Sequence, residues 1–309
     1  MPLASVILPT FNRAHVLLRA INSVLNQSFI DLELIVIDDC SKDNTADILR
    51  TVRDDRVKAI FLEENKGACF ARNVGISAAS GKYIAFQDSG DEWLFDKLSY
   101  QINILNNYPS YQATCASYFM IDESGKAQVV PDFLVSQKII IVNDLLWGNL
   151  IDTPTLMVQK NILKKIGGFD EKLPRFQDWE LGIRIAQETP ILFTQSPLTI
   201  AHPCANSISK NNAARNKAHE YIINKHFNLF FSENKSLIAN LNRLSVSYLM
   251  QSDPYNALKT IRKSLKYRPY SLETQLLFIY LILPINIGYK IEIFRNIRRL
   301  LFTLSKSLK

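Results

Sequence analysis

The chain has 309 residues, 47% hydrophobic and 21% charged, with 10 Gly and 12 Pro. These values exclude fibrous and low-complexity classes and leave room for one large core domain with an appendage. The formal charge of +7 is uneven: eleven basic residues face only Glu273 and Glu292 between Tyr255 and Lys309, which leaves the rest slightly acidic.

The first apolar run, Ser5–Pro9, starts within five residues of Met1 without a basic lead, so it reads as a buried strand and not a signal peptide. Further runs at Glu33–Ile37, Val57–Leu62 and Tyr83–Gln87 alternate with helical patterns at His15–Asn26, Asn44–Val52 and Ala68–Ala79. Short runs rich in Val, Ile, Leu and Phe suit a sheet covered on both faces. The rhythm predicts an α/β fold, an open twisted, mostly parallel sheet of Rossmann type with helices on both faces. Shorter strands follow at Ala113–Met120 and Leu156–Val158, then a helix over Asp178–Gln187. Beyond about residue 209 the pattern is helical, punctuated by Pro254, Pro269 and Pro284. The expected division is a main domain over 1–230, with halves meeting near residue 110, and a basic helical region over 231–309.

Ligands of open α/β sheets sit beyond the carboxyl ends of the strands. Pro9 to Arg13, Asp38-Asp39 and Asp88 to Asp91 fall there. Neither G-x-G-x-x-G nor G-x-x-x-x-G-K-[ST] occurs, so the usual phosphate cradles are missing. Asp38-Asp39 can receive ribose or base donors or cap the next helix. Asp88 and Asp91 can hold Mg²⁺ or Mn²⁺, or simply form a turn. Asp178 can be a general base or a first-turn helix acid. Glu180 stands two residues on and cannot face Asp178 on a helix. Arg72 and Lys66 can neutralise a diphosphate or remain surface charges. His202 reads as structural, and His15, His219 and His226 show no partnering pattern. Cys40, Cys69, Cys115 and Cys204 lack metal-like spacing and read as reduced thiols of a cytosolic protein.

Four ordered blocks within about residues 3–205 carry a resemblance: Val6 to Arg13, Glu33 to Thr45, Gly67 to Gly75 with Gly81 to Asp88, and Gly167 to Glu171 with Gln177-Asp178-Trp179. Together they resemble glycosyltransferase family 2. The resemblance implies the GT-A fold and inverting transfer of a sugar from a nucleotide-sugar donor, with UDP expected. It implies that Pro9, Thr10, Asn12, Asp39, Arg72 and Asp88 line the donor site and that Asp178 is the catalytic base. Gly168, Phe169, Asp170 and Trp179 would shape the acceptor side. The family's usual Asp-x-Asp starts at Asp88, but its second acid is replaced by Gly90. A divalent metal would then rest on Asp88 and Asp91, with Glu92 in place of Asp91 or with phosphate oxygens and water as the alternatives, and a degenerate, non-catalytic sugar-binding module is the rival reading. A nucleotidyltransferase would carry a Gly-rich loop after the first strand, and Pro9 to Arg13 has no Gly.

The expected acceptor is a glycan or lipid-linked glycan in surface-polysaccharide synthesis. The uncharged run Thr274–Tyr289 is too short and interrupted to span a bilayer. With its basic flanks it suits either a cytoplasmic membrane surface or a helical hairpin packed on the protein. Aromatics do not interleave with the basic residues, which argues against nucleic acid.

Overall fold

The computed structural model describes residues 1–131, 137–203 and 212–283. In chain order the elements are β1 (Ala4–Thr10), α1 (Ala14–Leu25), β2 (Leu32–Asp38), α2 (Thr45–Thr51), β3 (Val57–Phe61), α3 (Ala68–Ala78), β4 (Tyr83–Phe86), β5 (Glu92–Trp93), α4 (Lys97–Asn107), β6 (Ala113–Ala116), β7 (Tyr118–Ile121), β8 (Ala127–Val130) and β9 (Gln137–Ile140). Then follow α5 (Val142–Leu145), a 3₁₀ turn (Thr153–Thr155), β10 (Met157–Gln159), α6 (Lys160–Ile166), α7 (Gln177–Glu188), β11 (Ile191–Thr194) and β12 (Thr199–Ala201). Five helices close the described chain: α8 (Asn212–Lys225), α9 (Phe227–Ser232), α10 (Asn234–Met250), α11 (Pro254–Tyr267) and α12 (Leu272–Ile282).

The chain forms two compact units, Met1–Ser207 and Ile208–Lys309. In the first, eight strands form a sheet in the order β3-β2-β1-β4-β10-β6-β11-β9. Strands β1 to β4 pair in parallel, with Val6 opposite Leu34 and Ala85. Strand β10 runs antiparallel to both neighbours, as does β9 to β11. The parallel centre explains the unbroken apolar runs: every residue of β1 and β2 is buried. On one face Val6, Leu8, Leu34 and Val36 pack with Leu17, Ala20, Ile21 and Val24 of α1, whose spacing makes one apolar stripe. On the other face α3 lies close over the sheet. A Cβ on Gly75 would stand 2.5 Å from Ile7 and 2.9 Å from Ile37, so only Gly permits that approach.

The single strand expected over Ala113–Met120 is two. Ser117 lies between β6, which stays in the large sheet, and β7, which enters a second sheet of order β5-β12-β7-β8. The Ser117 amide donates to Thr194 O and its hydroxyl to Pro131 O, so the break has its own hydrogen bonds. The loop after β4 therefore starts in one sheet and ends in the other, at β5.

The N-terminal edge of the large sheet carries a buried carboxylate. Glu33 accepts from Ser5 Oγ (2.6 Å), the Ser80 amide (2.7 Å), Ser80 Oγ (2.5 Å) and Lys58 Nζ (2.7 Å). Burial raises its pKa, but these donors outweigh burial and bring it down to about 2.

The described residues of the second unit are helical. Asn242 of α10 accepts from Ser264 of α11 (2.9 Å) and donates to Thr274 of α12 (3.1 Å), fixing three helices through one buried amide. Of the uncharged run near the C-terminus, Thr274–Leu283 is described and only its first nine residues, to Ile282, are helical. Pro284 and the basic residues from Lys290 onward lie outside the described residues, as do Cys204 and Asn206 to Ser209.

Candidate active site

Strand ends and two inserted loops gather the site. At the end of β1, Thr10 is buried and its carbonyl accepts the Asp39 amide (2.9 Å). Asn12 sits in the left-handed region (φ 53°), a conformation Asn tolerates better than most residues. Its amide donates to Ser41 Oγ (2.8 Å), and its Oδ1 accepts the Lys42 amide (2.7 Å). The Pro9-to-Arg13 loop and the β2–α2 loop are thus stitched together.

Asp39 is buried, with its carboxylate turned toward the β3–α3 loop. Its two oxygens accept the amides of Lys66 and Gly67, each at 2.8 Å. Gly67 needs φ 87° to present that amide. Asp38 accepts the Ser41 amide (3.2 Å), a local turn bond. Lys66 pairs with Glu64 (2.9 Å) at the surface and lies over the Phe70 ring.

Arg72, on α3, is the hub. Only 6% of it is exposed. One guanidinium nitrogen donates to Asp88 (2.7 Å), after β4, and the other to Gln177 (2.7 Å), at the start of α7. Its carbon stands 5.2 Å over the Phe169 ring. Burial opposes its charge, but Asp88 prevails and holds the pKa above the usual value. Among the described residues, Arg72 Nε and Thr10 Oγ1 are buried polar atoms with no hydrogen-bond partner. Such atoms leave hydrogen-bonding capacity open on both sides of the strand ends.

Asp91 is pushed well above the ordinary carboxylate range by burial and then by Asp88. It accepts the His202 amide at 3.2 Å. The His202 ring meets Glu92 (2.6 Å), while Arg19 donates to the Gly90 carbonyl (2.6 Å). The Asp88-to-Asp91 loop is therefore clamped from α1 and from beyond β12. A Cβ at Gly90 would meet nothing within 4 Å.

Asp178 lies in the first turn of α7, behind Phe176 in the left-handed region (φ 58°). Burial raises its pKa, with Asn149, the Trp179 amide and Arg72 opposing. Glu180 is fully buried and bidentate to Arg184, so it is structural. Gly168 has φ +71° and faces Asn73, whose Oδ1 accepts the Phe169 amide (2.8 Å). The Phe169 ring packs edge-on against Phe86, and the buried Trp179 indole donates to Leu145 O (2.7 Å). Asp170 caps its own turn through the Lys172 amide (3.0 Å). These three side chains fix the loop's path and α7.

Two participants escaped the sequence reading, Asn149 and Asp152, and Gln177 stood in the fourth block of the resemblance without a role. Asp152 is pushed well above its ordinary value by burial, then by Asp178, Asp91 and Asp88. An acid alone in the apolar lead-in to β10, three residues after Asn149, was the signal available.

A chemical test of the donor set for a divalent ion is mixed. Among the described residues no group of three or more His, Cys, Asp or Glu is assembled to hold a metal. The Asp88 charge nonetheless raises the pKa of Asp91, and Mg²⁺ commonly takes one or two carboxylates and completes its shell with phosphate and water. The pair fits that minimal role.

Comparison with known proteins agrees with this architecture. Residues 5–167 match the family model described as Glycosyl transferase family 2. TuaG of Bacillus subtilis (strain 168), provisionally named for teichuronic acid biosynthesis, is 34% identical over 165 residues, covering 52% of this chain and 63% of TuaG. The match thus spans less than two thirds of that relative. WfgD of Escherichia coli, a UDP-Glc:alpha-D-GlcNAc-diphosphoundecaprenol beta-1,3-glucosyltransferase, is 34% identical over 190 residues, covering 61% of this chain and 72% of WfgD. The crystal structure of Staphylococcus aureus TarS in complex with UDP-GlcNAc aligns with TM-score 0.63 at 18% identity, covering 90% of each chain. That likeness bears on the fold, which is GT-A.

Proposed function

The chain belongs to glycosyl transferase family 2, and from that premise we propose that it moves a sugar, with inversion, from a UDP-sugar to a hydroxyl of a glycan or lipid-linked acceptor in bacterial surface-polysaccharide synthesis. The observation that carries this reading is the Arg72 fork, which ties the donor-side Asp88 to the helix bearing Asp178. The named function of WfgD and the UDP-GlcNAc in the TarS crystal support the choice of UDP and a lipid-linked acceptor.

In this reading Pro9, Thr10 and Asn12 frame the nucleotide. Asp39 orders the Lys66-Gly67 loop against the base, and Asp88 meets the ribose side. Arg72 offsets negative charge as the diphosphate leaves. Asp88 and Asp91 would hold a divalent ion, which supplies further charge neutralisation when bound. Asp178 takes the proton from the attacking hydroxyl, and a raised carboxyl pKa makes it a better base. Gly168, Phe169, Asp170 and Trp179 shape the acceptor side by fixing the loop and helix that bound it. Catalysis belongs to the first unit, working at the cytoplasmic face of a membrane.

The test is Asp178→Asn. Transfer should fall by about 10²–10⁴-fold with UDP affinity nearly unchanged; turnover near wild type would remove Asp178 as base. Gly90 motivates a second reading, a sugar-binding module without catalysis. UDP-sugar binding without transfer or hydrolysis, with and without chelator, would favour it.

A further inference from the structure

We propose that the outer face of α12 docks this protein onto an anionic phospholipid surface. The inference rests on the reading of the chain as a transferase working at a membrane, and it names the contact.

Thr274 is fully buried and bonded to Asn242, which fixes the rotation of α12 about its axis. Leu272, Leu276, Ile279 and Leu283 then recur at helical spacing on the opposite side, 68%, 58%, 50% and 41% exposed, with Ile282 beside them at 52%. Five large aliphatic side chains on one exposed strip are unusual for a surface that meets only water. Charge selects the occupant. Glu273 is the sole charged residue of α12, and Arg262, Lys266 and Arg268 are exposed just ahead of it. Six further basic residues and one acid follow between Lys290 and Lys309 in the sequence. Tyr270, 90% exposed, precedes the strip by two residues, and tyrosine favours the headgroup level. An apolar strip with exposed cations ahead of it and a basic sequence after it fits the boundary between acyl chains and acidic headgroups. With 11 residues the helix is about 16 Å long, so it lies on a bilayer and does not cross it. No helix among the described residues is long and apolar enough to span one.

The experiment floats the full chain with vesicles of phosphatidylcholine alone and of equimolar phosphatidylcholine and phosphatidylglycerol. The wild type should float with the second and not the first. L276N/I279N should lower the bound fraction at least about tenfold, whereas Ile30→Asn, at an exposed apolar site in the first unit, should not. Circular dichroism on each variant verifies folding. Equal flotation of wild type and L276N/I279N overturns the proposal, as does indifference to phosphatidylglycerol. So does a dimer seen by light scattering that the double substitution dissolves while neither protein floats, which would assign the strip to a second copy. UDP-sugar hydrolysis on the same samples should be unchanged in L276N/I279N. If hydrolysis is missing from every sample while flotation follows the strip, the transferase reading fails and the docking face stands.

Discussion

Replacing Glu33 with Gln tests how the sheet is held at the end remote from the candidate site. The glutamate is 5% exposed at its side chain, so its charge is not screened by bulk water. Its pKa drops from 4.5 to about 2, because the hydrogen bonds outweigh a burial contribution of opposite sign. At 1.36 kcal/mol per pH unit this is worth about 3 kcal/mol. Lys58 is 57% exposed, so its share is discounted, and the Ser5 and Ser80 donors supply most of the effect. The folded form holds its proton less tightly than the unfolded form. The stabilisation is therefore fully present above pH 4.5 and is lost as pH falls toward about 2. Urea unfolding of wild type and E33Q across this range should show a gap of about 2–3 kcal/mol at neutral pH that closes in acid. UDP affinity below the unfolding transition should not change, since Glu33 sits five residues before Asp38 at the other end of β2. A gap of the same size at both ends of the pH range, or no gap at neutral pH, would refute the reasoning.

Gly168→Ala should destabilise by about 2 kcal/mol or more, because φ is +71° and the new Cβ would lie 2.4 Å from Asn73 Oδ1; calorimetry checks it. Gly90→Asp meets open space, so melting should stay within about 0.5 kcal/mol of wild type. UDP titration with and without Mn²⁺ should then show stronger metal dependence, and an unchanged ratio would remove the metal role of this loop. Lys97 is fully buried against Gln101 and the Trp93 ring, and burial takes its pKa down to about 7 from 10.5. Between those values the unfolded chain holds a proton the folded one lacks, so wild-type stability rises with pH, and Lys97→Met should flatten that rise in chemical unfolding.

The βαβ rhythm was legible because β1 and β2 are buried on both faces, which forces continuous apolar runs. The four blocks of the resemblance drew attention to Asp88, Arg72 and Asp178, and in the structure Arg72 bonds both Asp88 and Gln177, the residue before Asp178. Ser117 was not legible: a strand that changes sheets keeps its apolar character, and one serine inside a strand pattern carries no period signal. Asp152 and Asn149 were hidden for a related reason. The charged groups that act on Asp152, and the Asp178 that Asn149 meets, lie 26 or more positions away, so no local spacing marks them. Glu33 looked like any strand acid until Ser5, Ser80 and Lys58 met around it.

The loop from Asp88 to Asp91 hangs between two sheets, leaving β4 in the large one and entering β5 in the small one. A bridge anchored on two banks takes its span from the gap between them. Repacking anywhere along that gap, even far from the ligand, would alter the separation of the two acids before it altered the melting point. Distant substitutions that leave the protein folded but change its appetite for donor are therefore expected to map to the seam between the sheets.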